Sequence, residues 1–193
     1  MQPLASEAAP DCGSSGLVVV SVVSHGHKHQ VQGLLNDLVR FSRGRISRVV
    51  LTLNQPEAAP QPPAAGWPFA LHIVRNIRPL GFGANHNRAL SGAGEPFVCV
   101  LNPDVRWDGC DPLEAMVQAA AQPGVGCSYP VQIDNVGCWQ DSARALPTPA
   151  ALFRRRVLGQ REARVDWVNA ACLVLPQPVW QRLQGFDEAY FVY

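Results

Sequence analysis

The sequence predicts an α/β fold with a mostly parallel central sheet and helices on both of its faces. Apolar runs that fit buried strands alternate four times with segments of helical periodicity in the first 120 residues. The connections between them are short, as in βαβ units with right-handed crossovers. The apolar runs are nearly continuous and rich in β-branched residues, which is typical of parallel strands covered on both faces.

The first two thirds of the chain supply most of these elements. Leu17–Val23 is a nearly unbroken valine run and predicts the first buried strand. Residues 30–41 repeat apolar side chains at helical spacing and predict an amphipathic helix. Five prolines in residues 55–68 predict a loop. The remaining predictions are strands at Arg48–Leu53, Phe69–Val74 and Phe97–Leu101, and helices beginning near Ala84 and Pro112.

The last third of the chain has a less regular pattern. We expect a strand within Gly124–Ile133, a short helix at 147–159, a long apolar strand at Val165–Leu175 and a helical turn at Pro178–Leu183. Residues 1–15 are rich in Ala, Ser, Pro and Gly and are expected to be a disordered lead-in. Residues 16–193 are then expected to form a single domain.

Composition excludes several classes of protein. The net charge of +1 gives no electrostatic case for nucleic-acid binding. The six cysteines include no CxxC pair and no Cys/His cluster at zinc spacing, so free thiols in a reducing, cytoplasmic compartment are expected. The N-terminus lacks the pattern of a signal peptide, and the longest apolar run is too short to span a bilayer. Any membrane association is therefore expected to be peripheral.

Polar residues follow three of the predicted strands at the point where each strand ends. They are Ser24 to His27, Asn54, and the segment Asn102 to Asp104. Asn, Pro and Asp form turns, so Asp104 could be only a turn residue. Because parallel strands end at one edge, where α/β folds bind ligands, three polar strand ends favour a ligand crevice there. The alternative to a simple turn at Asp104 is therefore a metal or phosphate site.

Four segments in order resemble the family 2 glycosyltransferases, and in particular their rhamnosyltransferase-like subgroup. They are VSVVSHG, RNIRPLGFGANHNRAL, FVCVLNPDVRW and VDWVNAACLVLPQPVWQRLQGFDEAYFVY, and the likeness runs from about Leu17 to Tyr193. The resemblance implies a GT-A-type nucleotide-diphospho-sugar transferase fold and inversion of the anomeric centre. It also implies transfer from a nucleotide-diphosphate sugar to a glycan or lipid-linked acceptor.

The resemblance also assigns roles to residues of this chain. NPD stands where many relatives have Asp-x-Asp, which implies that Asp104 holds Mg²⁺ or Mn²⁺ on the donor diphosphate. The second strand ends in Leu53-Asn54 where relatives commonly have an Asp-Asn pair, so the nucleotide base stays open. The implied donor-binding residues are Ser24, His25, Asn54, Gly81, Gly83, Asn85, Asn87 and Asn102.

The acceptor side and the catalytic base are less complete. Trp167 aligns with a position near the acceptor in relatives, although a strand tryptophan can also belong to the core. Relatives draw the base from an acidic Glu-Asp-x-Asp cluster directly after the segment that resembles GFDEAYFVY, and this sequence ends at Tyr193. The expectation is a domain that is incomplete at its C-terminus and impaired in transfer. Asp187 or Glu188 could substitute as the base.

Two other functions are compatible with parts of the pattern. A non-catalytic nucleotide-sugar-binding or remnant protein would keep the donor residues and lack the base. A sugar nucleotidyltransferase would require a glycine-rich, basic loop after the first strand, which SHGHKHQ matches poorly. The run Arg154–Arg156 is interpreted as a solvated face.

Overall fold

The protein's helices and strands follow from a computed structural model that describes residues 16–42, 44–134, 136–140, 142–144 and 167–191. The strands in these ranges are β1 (Val18–Ser24), β2 (Ile46–Leu53), β3 (Ala70–Arg75), β4 (Phe97–Leu101), β5 (Gln132–Ile133), β6 (Trp139–Gln140), β7 (Ala143–Arg144), β8 (Trp167–Val168) and β9 (Cys172–Pro176). The helices are α1 (Lys28–Phe41), α2 (Phe82–Leu90), α3 (Pro112–Ala120) and α4 (Gln177–Leu183).

A five-stranded sheet in the order β3-β2-β1-β4-β9 forms the centre of the protein. The first four strands are parallel, and β9 runs antiparallel to β4. Val20 of β1 lies opposite Val49 on one side and Cys99 on the other. Because parallel strands end at one edge, the residues that follow β1, β2, β3 and β4 emerge close together.

Alternation of side chains along the strands divides the core into two layers. Val18, Val20 and Val22 of β1 pack on one face with α1 and α3. Val19 packs on the other face with α2 and α4. All four valines are fully buried, and each contributes about 1.5–3 kcal/mol relative to an exposed side chain. The prediction of a mostly parallel sheet with helices on both faces is confirmed.

The strand predicted within Gly124–Ile133 is wrong over most of its length. Only β5, at the end of that range, and an isolated bridge from Ser128 to Val174 have strand pairing. Pro130 interrupts the segment because proline has no N–H to donate to a neighbouring strand. Gly124 has a φ of 82°, which turns the chain at the start of the segment.

The single long strand predicted at Val165–Leu175 is also wrong, because its described residues form two short strands. β8 pairs with β7, whereas β9 joins the central sheet beside β4. Asn169 separates them, since its side-chain Oδ1 accepts the N–H of Ala171 at 3.0 Å. A side-chain bond to the backbone two residues on is an Asx-turn, which competes with strand pairing.

Several sequence-based expectations concern other parts of the chain or its membrane and redox context. The lead-in at 1–15, the helix at 147–159 and the arginines at 154–156 lie outside the described residues. In the ranges that the structure describes, no helix has the length and apolar character needed to cross a bilayer. Cys99 and Cys172 are free and buried, as expected for thiols in core strands.

Candidate functional site

A network of amide side chains joins the carboxyl ends of β2 and β3 to the loop that precedes α2. Asn54 uses all of its hydrogen-bonding capacity there. Its Nδ2 donates to Leu80 O at 3.0 Å and lies 3.1 Å from His25 Nδ1, while its Oδ1 accepts from Leu80 N at 2.9 Å and Asn76 Nδ2 at 2.8 Å. The network therefore fixes the loop before α2 over the end of β2.

Asn85 extends this network from the first turn of α2. Its side chain is 1% exposed. Its Nδ2 donates to the carbonyls of Leu80 and Gly81, both at 3.0 Å, and its Oδ1 accepts from Asn76 at 2.7 Å. Gly83 is also buried. The described contacts of Asn85 therefore hold the loop before α2 in place. A direct contact between Asn85 and the donor stays a prediction.

Sequence reasoning missed Asn76, which connects Asn54 to Asn85. The signal that identified Asn54 was available for it, since Asn76 directly follows β3 as Asn54 directly follows β2. Its backbone N–H donates to Leu53 O at 3.1 Å, and its Oδ1 accepts from Arg88 Nη1 at 3.2 Å. Asn76 thus links three elements at the carboxyl edge.

Ser24 and His25 lie at the end of β1. The Ser24 hydroxyl is buried and accepts the N–H of His27 at 3.1 Å, which shapes the turn into α1. The His25 ring is exposed and contacts both Asn54 and Gln55 through its two nitrogens. Of this pair, only His25 presents a side chain to solvent at the sheet edge.

The segment Gly185–Phe191 lies against α2. Asn87 pairs with the backbone of Phe186 in both directions, accepting its N–H and donating to its carbonyl, each at 2.8 Å. The same amide donates to Glu188 Oε1 at 2.9 Å, and Asp187 Oδ1 accepts the N–H of Ala189 at 2.9 Å. The bonds from Asn87 to Phe186 and Glu188 therefore hold this segment on α2, whereas the bond of Asp187 lies within the segment.

At the N-terminus of α2, the first backbone N–H is bonded within the chain. The Phe82 N–H already donates to the carbonyl of Phe191 at 3.0 Å. A Cβ on Gly81 would lie 2.8 Å from that same carbonyl oxygen. Glycine at position 81 is thus explained by the close approach of the Gly185–Phe191 segment.

His86 is buried between α2 and the sheet. Its Nδ1 lies 2.8 Å from Ser21 Oγ of β1, and its ring contacts Phe82 and Phe186 edge to face. Its Nε2 has no hydrogen-bond partner among the described residues. Burial lowers the pKa of His86 from 6.5 to about 3, so the imidazole is neutral in the folded protein.

The His86 pKa predicts a loss of stability on acidification. His86 takes up a proton near pH 6.5 in the unfolded chain and only near pH 3 in the folded protein. The contribution of neutral His86 to the free energy of unfolding is therefore fully present above pH 6.5, and it is lost as the pH falls towards 3. The expected loss is about 1.4 kcal/mol per pH unit. The measurement is urea unfolding at intervals between pH 6.5 and 5 for the wild type and His86→Gln, which cannot titrate. Equal pH slopes in the two proteins would contradict the assignment.

Asp104 follows β4 in a turn that is anchored on both sides. The N–H of Asn102 donates to Ala171 O at 2.8 Å, and that of Val105 donates to Asn102 O at 3.3 Å. The Asp104 side chain is exposed and forms no hydrogen bond or ion pair with the described residues. The Asp104 side chain therefore contributes no hydrogen bond to the turn, and its carboxylate is accessible from solvent.

Asn102 and Asp104 border a cleft of about 680 Å³. Its other walls come from the loop after β4, from β5 and β6, and from the start of β9. They include Arg106, Trp107, Asp108, Gln132, Asp134, Gln140 and Asn169. Of the residues predicted for donor, metal and acceptor, the structure brings only Asn102 and Asp104 to this cleft. Trp167 lies in β8, is 43% exposed, and is not part of the cleft wall.

The donor set at Asp104 fits one mode of binding a divalent cation. Among the described residues there is no group of three His, Cys, Asp or Glu side chains that could enclose a metal. Mg²⁺, however, often takes one or two carboxylates from the protein and the rest of its ligands from substrate phosphates and water. One unpaired carboxylate with a neighbouring amide fits that mode and does not fit a metal bound by protein alone.

The chain is similar to a glycosyltransferase of known name. N-acetylglucosaminyl-diphospho-decaprenol L-rhamnosyltransferase of Mycobacterium tuberculosis is 30% identical over 144 residues, which are 59% of this chain and 47% of that enzyme. The chain thus spans about half the length of this curated relative. No family model matches the chain.

Solved structures share the fold of this chain. The mannosyltransferase PcManGT from Pyrobaculum calidifontis, in complex with GDP-Man and Mn²⁺, covers 94% of this chain and 50% of its own, at a TM-score of 0.61 and 18% identity. The structure of residues 1–349 of S. aureus TarS, in complex with UDP, covers 90% of this chain and 51% of the TarS chain. Its TM-score is 0.58, and its sequence identity to this chain is 13%. This chain has the GT-A fold of these glycosyltransferases. The GT-A fold expected from the sequence is thereby confirmed.

Five of the predicted site residues fall into two groups at the sheet edge. Asn102 and Asp104 line the cleft after β4. His25, Asn54 and Asn85 belong to the amide network at the ends of β1, β2 and β3. Both groups lie at the carboxyl edge of the parallel strands, where open α/β sheets bind their ligands.

Proposed function

We propose that this chain is the donor-binding half of an inverting, metal-assisted glycosyltransferase. It would take a sugar, rhamnose or a similar one, from a nucleotide-diphosphate donor to a glycan or lipid-linked acceptor. The single observation that carries the proposal is the unpaired Asp104 carboxylate beside the 680 Å³ cleft, at the carboxyl edge of a GT-A sheet. The mycobacterial relative is named after a substrate that carries the lipid decaprenol, which supports a lipid-linked acceptor.

The chemistry follows from the charge that develops on the donor. Asp104, with Asn102 beside it, would hold Mg²⁺ or Mn²⁺, and the cation when bound would stabilise the negative charge of the departing diphosphate. The amide network would hold the loop before α2 in a fixed position beside the nucleotide. A preorganised site avoids reorganisation cost when the donor binds.

An inverting transfer is a direct displacement, so the acceptor hydroxyl must lose its proton as it attacks. The resemblance puts the base after the GFDE segment, and Asp187 and Glu188 are the candidates within this chain. Both carboxylates already accept hydrogen bonds, from Ala189 N and Asn87 respectively. Hydrogen bonds to a carboxylate make it a weaker base, which favours a second candidate function, a non-catalytic nucleotide-sugar-binding protein.

The reaction would take place in the cytoplasm, with peripheral contact to the membrane that carries the acceptor. The supporting observations are the buried free thiols of Cys99 and Cys172 and the lipid in the relative's name. Neither a nucleic-acid partner nor a membrane-spanning segment enters the proposal.

Binding of nucleoside diphosphates to the purified chain tests the proposal. We would titrate it by calorimetry with UDP, GDP and thymidine diphosphate, with Mn²⁺ and then with excess EDTA. The expected result is that one of the three nucleotides binds in the presence of Mn²⁺. Its affinity should fall at least about tenfold when EDTA removes the metal. Absence of binding by all three nucleotides, or binding that EDTA leaves unchanged, would overturn the proposal.

A further inference from the structure

A buried carboxylate on α1 holds the chain just beyond Asp104. Asp37 Oδ2 accepts from Arg106 Nε at 2.5 Å, and Asp37 Oδ1 accepts from Arg106 Nη2 at 3.0 Å. The same Oδ2 accepts the backbone N–H of Trp107 at 3.2 Å. One carboxylate therefore binds three donors from two consecutive residues of the loop after β4. Paired, charge-assisted bonds of this geometry fix orientation as well as contributing energy.

The surrounding residues fit this contact. Asp37 is 8% exposed, so an unpaired charge there would be costly. Gly33 lies one turn earlier on α1, and a Cβ at that position would lie 3.0 Å from Arg106 Nη1. A glycine inside a helix costs about 1 kcal/mol relative to alanine. Here it makes room for the guanidinium over the helix.

Asp104 thus stands between two fixed points. Before it, the N–H of Asn102 donates to Ala171 O at 2.8 Å, and after it, Trp107 is fixed by Asp37. We propose that Asp37 is a positioning residue for the Asp104 site: through Arg106 and the Trp107 backbone it holds the loop that presents the Asp104 carboxylate to a cation-bound diphosphate. This inference rests on the proposed function, and it adds a residue that the motif NPD does not contain.

The test compares Asp37→Asn with Glu95→Gln. In Asp37→Asn, an NH₂ group would replace one carboxylate oxygen and face a donor of the loop after β4, so the negative charge and the bonds to that oxygen are lost. Glu95 makes a matched pair with Arg48, through Nε at 2.6 Å and Nη2 at 3.2 Å, and its side chain is 13% exposed against 11% for Asp37. It lies just before β4, whereas Asp104 lies just after it. Both substitutions remove a similarly buried carboxylate charge that is paired with an arginine, at opposite ends of the strand.

Two measurements are made on each variant of the full 193-residue chain. The first is calorimetry with Mn²⁺ and the nucleotide that binds the wild type. The affinity should fall roughly 10- to 100-fold in Asp37→Asn and less than about twofold in Glu95→Gln. Hydrogen exchange, without metal or nucleotide, should be faster across residues 102–108 in Asp37→Asn only. Wild-type affinity in a folded Asp37→Asn, or an equal loss in both variants, would overturn the inference.

The two measurements also separate this inference from the proposed function. If the wild type binds no nucleoside diphosphate, the proposed function fails, and the exchange data alone decide whether Asp37 positions the loop. If Asp37→Asn does not fold by circular dichroism, Arg106→Gln removes the same ion pair from its exposed partner, which is 62% accessible. The expected result for Arg106→Gln is again faster exchange across 102–108, and unchanged exchange would overturn the inference.

Discussion

Replacing Asp104 by asparagine is expected to lower the affinity for a nucleoside diphosphate with Mn²⁺ by about 100-fold or more, with the fold retained. The substitution removes the charged oxygen ligand that a hard cation prefers. Stability should hardly change, because the carboxylate is exposed and forms no hydrogen bond or ion pair with the described residues. Calorimetric titration with Mn²⁺ measures the affinity, and a thermal melt measures the stability.

Asp108→Asn is the matched control for Asp104→Asn. Asp108 borders the same cleft and carries the same charge four residues later. A loss confined to Asp104→Asn supports a specific ligand, whereas an equal loss in both variants indicates only the general charge of the cleft. Unchanged affinity in Asp104→Asn would leave Asp104 as a turn residue.

Gly185→Ala is expected to destabilise the fold by about 3 kcal/mol. Gly185 has a φ of 78°, and a side chain in that region costs about 1–2 kcal/mol. A Cβ there would also overlap the Asn87 side chain. The paired hydrogen bonds between Asn87 and the Phe186 backbone would then be lost, each worth about 1 kcal/mol. Urea unfolding measures the change.

Gly92→Ala separates these two contributions. Gly92 has a φ of 67°, and a Cβ there would meet nothing within 4 Å. Gly92→Ala should therefore lower the free energy of unfolding only by the conformational cost, about 1–2 kcal/mol. If the two alanine variants are equally destabilised, the hydrogen bonds between Asn87 and the Phe186 backbone contribute nothing to stability. The role we assign to Asn87 would then be wrong.

The elements that could be predicted from sequence are those with a strong period and one clear partner. The valine run at β1 and the apolar spacing in α1 give the same answer in the sequence and in the structure, because each buries its apolar side chains in a continuous core. The segments 124–133 and 165–175 were misjudged because apolar content alone does not reveal interruptions. Pro130 and the Asn169 turn broke them locally.

The candidate site divides in the same way. A charged residue directly after a buried strand is conspicuous in the sequence, and the Asp104 carboxylate borders a cleft. Its role as a metal ligand stays a prediction. Asn85 and Asn87 looked like ligand-facing residues because they are polar beside a glycine loop. In the structure, their amides pair with Asn76 and with the backbone of Phe186. An amide side chain forms hydrogen bonds with backbone groups as readily as with a ligand. The local sequence does not show which of these partners the fold brings within bonding distance.

The fold class, the elements up to α3 and the polar strand ends could be predicted from the sequence, because side-chain periodicity and turn chemistry are local properties. Which distant groups meet became clear from the folded structure alone. It brought Asp37 to Arg106, Asn87 to Phe186 and His86 to Ser21 across 69, 99 and 65 positions of the chain. Such contacts depend on how the helices pack on the two faces of the sheet, and no local pattern encodes that packing.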